Sequence, residues 1–190
     1  MLADERVAQP YVIRTYLAAE RNPGDQRQAA ALKLLAELLG GNPTTSVLAR
    51  ALQFDTQTAV HAAAFYDGVS LDMDTFGLVV VPVPGVALAD AEAAMDGVLD
   101  KFLLDGVNPE DFSRIKAQVR ASEIYGRDNV QGLARQYGAA LAVGLSVKDV
   151  QDWPDILQSV TADEVMAAAK SVFDRRQAVT GWLTTEEAAQ

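Results

Sequence analysis

The sequence has no cysteine and a single histidine, His61, among its 190 residues. The first absence excludes disulfide scaffolds, thiolate metal sites and cysteine nucleophiles. The second excludes, within this chain, a zinc site built on two or three imidazoles. Cations are also scarce: 16 Lys and Arg stand against 26 Asp and Glu, a formal net charge of −10. They are scattered along the chain, which argues against nucleic acid, because phosphate binding needs them clustered. No run approaches the roughly 18 apolar residues of a membrane span. The opening MLADERVAQP lacks the apolar stretch of a signal peptide. Because it passes almost directly into a strand-like pattern, the chain is read as a segment of a longer protein or as one lacking its leader. The compartment is open, since a cysteine-free chain fits cytoplasm and periplasm equally.

What is present is ordinary globular material, 49% apolar and 22% charged, long enough to bury roughly 70% of its unfolded surface. QPYVIRTYLAA predicts a strand over 9–18. A turn at Asn22-Pro23-Gly24 follows, then a helix with Asp25 as N-cap and Gln28 at the reciprocal position. Leu32, Leu35, Leu38 and Leu39 give that helix a buried stripe; Gly40-Gly41 is expected to end it, and a second short helix to open near Thr44 or Thr45. TQTAVHAAAFYDG and DTFGLVVVPV read as an antiparallel pair of strands.

From residue 88 a helical block runs on, with caps at Asn108 (followed by Pro109), Ser146 and Thr161, the last paired with Glu164. Pro154 is expected to interrupt one of these helices. RQAVTGWLTT is a final strand and EEAAQ a tail. The order β-α-α-β-β-helical block-β predicts an α+β two-layer sandwich: one mostly antiparallel sheet with helices on one face. No linker, repeat or low-complexity run divides the chain, so one domain over 1–190 is expected.

Candidate chemistry is thin. LGGNPTTS offers glycines ahead of a helix, but neither phosphate-loop spacing nor a cation is present. A C-cap glycine followed by an N-cap threonine accounts for it. His61 could act as a base, yet no nucleophile motif accompanies it, and a half-buried or groove-lining side chain is the expectation. The paired acids of NPEDF and TADEV sit in first helical turns, where negative charge complements the helix dipole. Trp153, Trp182, Tyr125 and Tyr137 are read as core or interface aromatics. No residue makes a convincing nucleophile, base or metal ligand.

The order of these elements and several phrases resemble the pitrilysin/insulinase class of zinc metallopeptidases, the inverted His-x-x-Glu-His enzymes. The likeness is to the C-terminal, non-zinc domain of one of their two-domain halves. YVIRTYLAAERNPGDQRQAAALKLLAELLGG matches its strand, turn and Leu-Leu-Gly-Gly helix; Ser46, Leu48 and Leu52 match the Ser-x-Leu-x-x-x-Leu helix that follows. TAVHAAAFYDG, TFGLVVVPVPG, VNPEDFSRIKAQV and SVTADEVMAAAKSVFDRRQAVTGWL extend the match over nearly the whole chain.

The resemblance implies a noncatalytic domain forming chamber wall and domain interface for peptide binding. Zinc and its His-x-x-Glu-His motif are then expected on a companion domain or subunit, with no cofactor on this chain. An inactive structural or binding module of a peptidase-like assembly is the alternative. Partners would be the companion, a peptide substrate and, through the same faces, a second copy. In that class the second half commonly supplies an Arg after the Ser-x-Leu-x-x-x-Leu helix and a Tyr seven residues later. Read without gaps, those positions hold Gln53 and Val60. Strand alternation puts the neighbouring His61 on the opposite face from Val60, and Arg50 lies one helical turn too early. Gln53 and His61 are therefore the candidate substrate-groove residues, with no catalytic or metal residue.

Overall fold

A computed structural model describes residues 1–126 and 128–185. At its centre is a five-stranded sheet of order β1-β5-β2-β4-β3: β1 (Leu2–Ala3), β2 (Tyr11–Ala18), β3 (Ala59–Phe65), β4 (Asp74–Pro82) and β5 (Ala178–Thr184). Neighbours run antiparallel except β1 beside β5. The two-residue β1 escapes sequence reading because it is too short to alternate. The final strand predicted over RQAVTGWLTT starts two residues later, after a 3₁₀ turn at Arg175–Gln177.

Side chains of a strand point alternately to either side, and here one side is the core. Val12, Arg14, Tyr16 and Ala18 of β2 are buried, as are Phe76, Leu78 and Val80 of β4. Against them pack α1 (Arg27–Ala36), α2 (Leu88–Asp105) and α6 (Ala162–Val172), which contribute Leu35, Met95, Leu99 and Val165 among others. Tyr16 and Phe76 both meet the ring of Phe173 edge-on, with centroids 5.4 and 5.6 Å apart. The block is completed by α3 (Pro109–Gly126), α4 (Val130–Ala142) and α5 (Val147–Ser159). This is the expected α+β arrangement, one mostly antiparallel sheet with helices on one face.

Several local expectations are corrected. The cap of α1 is Gln26, not Asp25, and it makes no side-chain cap bond. Its amide is drawn inward instead, accepting from Arg21 Nε at 2.8 Å and donating to the Asp149 carbonyl at 3.0 Å. The Gly40-Gly41 pair does not cap α1. The helix continues as a π-turn over Glu37–Gly41, and neither glycine has a positive φ. Gly40 is required by proximity: a Cβ there would stand 1.9 Å from the Ala64 nitrogen of β3.

The next helix begins at Val47, not at Thr44 or Thr45. Those two residues form a turn whose amides donate to Asn42 Oδ1 at 2.9 and 3.0 Å. From Ala49 to Asp55 the helix is wide, with π-type bonds. Pro154 lies inside α5 without breaking it. A mid-helix proline costs about 3 kcal/mol, and the burial of Trp153 and Leu157 holds the helix through it. The caps at Asn108, Ser146 and Thr161 are formed, the last two as complete capping boxes. The EEAAQ tail lies outside the described residues.

Candidate functional site

The face of the sheet away from α1, α2 and α6 is flat, apolar and half-open. Strand register assembles it in rows. Phe65 stands opposite Gly77, Gly77 opposite Thr15, and Thr15 opposite Val179. Ala63, Val79, Ile13 and Gly181 form the next row. Two glycines make the surface level. The Phe65 ring lies over Gly77, where a Cβ would meet it at 1.9 Å, and an Ile13 methyl lies 3.3 Å from the corresponding point at Gly181. Leu2, Leu17 and Val179 are at least half exposed.

The candidate groove residues lie at and beside the β3 edge of this face. A β-bulge falls between Ala59 and His61, which changes the expected register. Val60 is the extra residue and is exposed on the sheet edge; His61 then resumes alternation with Ala63 and Phe65 opposite Val81. Val60 and His61 are thus both exposed, where simple alternation predicts opposite faces, and His61 is not half-buried. It no longer alternates in step with Ala59, which is buried.

Gln53 is half-buried on the π-helix, and its Nε2 donates to the Pro43 carbonyl at 3.2 Å, back toward the loop ahead of its own helix. No hydrogen bond joins Gln53 to His61 among the described residues. Arg50 is a strut: both its terminal nitrogens donate to Asp111, which also pairs with Arg114 at 2.8 Å. Burial pushes the Asp111 carboxyl up, but the hydrogen bonds and charges of Arg50 and then Arg114 outweigh it and hold it below the usual range.

Of the aromatics, Trp153 is core, with the Arg21 guanidinium 3.8 Å from its ring centroid. Trp182 is part-buried, donating to Glu92 at 2.7 Å. Tyr137 is half-buried, while Tyr125 is exposed on α3.

Two buried cations went unnoticed in the sequence. Arg14, 3% exposed, reaches Glu92 and Asp96 of α2 and donates to Thr180 Oγ1 at 2.8 Å; Arg175 pairs with Asp96 as well. Burial works against the Arg14 charge, but the hydrogen bond to Asp96, foremost among the groups around it, outweighs burial and raises its pKa. The available signal was an arginine at an inward phase of an alternating strand, between Val12 and Tyr16. Arg21 similarly ties the turn before α1 to the start of α5 through Gln26 and Asp149. Both networks are satisfied internally, which fits structure rather than catalysis.

Zinc requires converging nitrogen, sulfur or carboxylate donors. Among the described residues no three His, Cys, Asp or Glu converge in that way, so the described donors do not fit a zinc site. No described helix is long and apolar enough to cross a membrane.

Comparison with curated proteins returns no match. Among solved structures the fold recurs. A protease from Helicobacter pylori superposes with a TM-score of 0.85 at 17% identity, over 96% of this chain and 42% of that one. The inactive peptidase domain of a proposed zinc protease from Bordetella parapertussis gives 0.81 at 17% identity, over 95% and 96% of the two chains. The periplasmic protease PqqL from Escherichia coli gives 0.70 at 17% identity, over 97% of this chain and 20% of that one. This chain therefore spans less than half of the Helicobacter protease and nearly all of the Bordetella domain. At such identities the likeness concerns fold. The sequence profile of one family matches residues 3–119. That family is described as the Peptidase M16 inactive domain, and this chain belongs to it.

Proposed function

We propose that this chain is the noncatalytic domain of a zinc peptidase, forming chamber wall and the interface with a companion that carries the His-x-x-Glu-His motif. The companion is a preceding domain of a longer chain or a separate subunit, and residues 1–190 act as one domain beside it. The observation that carries this reading is the level apolar face of Ile13, Val79, Ala63 and Phe65, which the chain's own helices leave free. A peptide would pass along the β3 edge, with His61 and Gln53 lining its groove. Zinc, and the water it activates, would belong to the companion. Without a companion, the same face would pair with a second copy of the chain.

A second reading, an inactive structural or binding module, is favoured by one observation. The two positions that resemble substrate-holding residues offer an amide turned toward Pro43 and an apolar valine. Neither supplies a cation or a phenol. The sequence of the companion separates the two readings, since a companion without the zinc motif leaves only the module.

The direct test is zinc content and peptide hydrolysis by the purified chain. Metal at trace level and no turnover are expected. Stoichiometric zinc with turnover in the isolated chain would overturn the proposal.

A further inference from the structure

Between the π-helix Ala49–Asp55 and the C-terminal half of α2 lies a cleft of about 700 Å³, on elements separate from the open sheet face. Its size falls in the range of roughly 300–1,000 Å³ typical of small-molecule sites. The floor is apolar: Leu38, Leu52 and Phe102 belong to the buried core, and Val98 packs against it. A π-helix is an uncommon element that often accompanies functional sites, and this one forms a wall of the cleft.

Gly97 also lines it, from the middle of α2. Glycine inside a helix costs about 1 kcal/mol relative to alanine. Gly97 has no positive φ, and a Cβ built there would meet nothing within 4 Å. Neither backbone conformation nor packing calls for glycine at this position. Its effect is to leave room in the cleft.

The charge at the cleft has a definite sign. Arg50 is paired with Asp111, and Lys101 with Asp105 at 2.5 Å. Asp111 is held additionally by Arg114, which does not line the cleft. Asp55 lines the mouth, is exposed, and has no ion-pair partner among the described residues. Both the π-helix and α2 end at the cleft, at Asp55–Thr56 and Asp105–Gly106. Helix C-termini carry negative partial charge and favour cations. The opposing amides at the start of α3 are already occupied, because Asn108 Oδ1 accepts from Glu110 N and Asp111 N.

We propose that this cleft binds a small apolar amine, its hydrocarbon or aromatic body over Leu52, Val98 and Phe102 and its ammonium group at Asp55. The site is distinct from the companion interface and stands whether or not that reading holds. Octylamine, octan-1-ol and octanoate share one chain length and differ in head group. Isothermal titration of each into the full chain at neutral pH and low salt is the test. One saturable octylamine site is expected, with octan-1-ol weaker and octanoate weakest.

Gly97→Leu should abolish octylamine binding, and Gly97→Ala should weaken it while melting no lower than the parent. Asp55→Asn should reduce octylamine affinity roughly three- to fivefold, the effect of one exposed charge pair, and leave octan-1-ol unchanged. Where Gly97→Leu fails to fold, the Gly97→Ala and Asp55→Asn results decide. Octanoate binding as tightly as octylamine would overturn the assignment. So would octylamine binding untouched by substitution at Gly97, or no saturable site at all. Light scattering adds one further outcome: a dimer that Gly97→Leu converts to monomer puts a second copy in the cleft and removes the amine.

Discussion

Gly40 faces the β3 backbone so closely that a Cβ would stand 1.9 Å from the Ala64 nitrogen and 2.4 Å from the Ala63 carbonyl carbon. Backbone cannot rotate aside as a side chain does, so Gly40→Ala must move the π-turn or the strand. Overpacking of this kind costs typically about 1–3 kcal/mol. Gly40→Ala is therefore expected to lower stability by about 2–3 kcal/mol in urea denaturation, whereas Gly97→Ala raises it or leaves it unchanged. Equal effects at the two glycines would contradict this distinction.

The contrast also marks what can be read from single residues. A glycine pair after an apolar helix reads as a stop, and the helical run does end at Gly41; the reason for Gly40, the Ala64 backbone, lies more than twenty positions away. The caps at Asn108, Ser146 and Thr161 were legible, since each is satisfied within three residues of itself. His61 was correctly singled out as the only imidazole. Of the two expectations for it, the half-buried one fails, because alternation carries no mark of the bulge at Val60.

Among elements, the junction of α1 and α6 rests on Glu164. Its carboxylate closes the capping box with Thr161 and pairs with Arg27 at the start of α1. The Arg27 hydrogen bond, then those from Thr161, pull the Glu164 carboxyl down to about 2 from its ordinary 4.5. A folded value below the unfolded one means the folded state favours the ionised form. The stabilisation is then complete above the unfolded value and disappears as pH falls through the folded one.

Thermal melts of the parent and Glu164→Gln between about pH 2 and pH 7 should differ most above about pH 5 and converge toward pH 2. A gap independent of pH would show that the charge plays no part. High salt should narrow the gap at neutral pH, since the pair is partly exposed.

Element identity is legible wherever periodicity runs long, as in β2, α2 and α6. The π-helix was not, because its apolar spacing differs too little from that of an ordinary helix. The two-residue β1 was also beyond reach, as its pairing depends on β5, some 180 positions later.

At the scale of the whole molecule, the sheet has a helix-packed side and an open side, and the proposed companion interface lies on the open one. The layer arrangement followed from element order alone, and the family from phrases spread along the chain. Which strand face lay open did not follow, because β4 reads as a near-continuous apolar run, Leu78 to Val81, with little polar alternation to mark its sides. The two internal arginine networks were likewise hidden, since their partners come from distant segments.

The proposed seat of the companion is the open face. Val79→Lys puts a charge at its middle, between Ile13 and Ala63, and as a partly exposed change should cost the fold only about 1 kcal/mol. The decisive measurement is sizing with light scattering of the chain co-expressed with its proposed companion, a His-x-x-Glu-His protein or domain. The parent should elute as a stoichiometric complex and Val79→Lys as a folded, separate chain. A Val79→Lys chain that stays in the complex, or a parent that never enters one, would contradict the account.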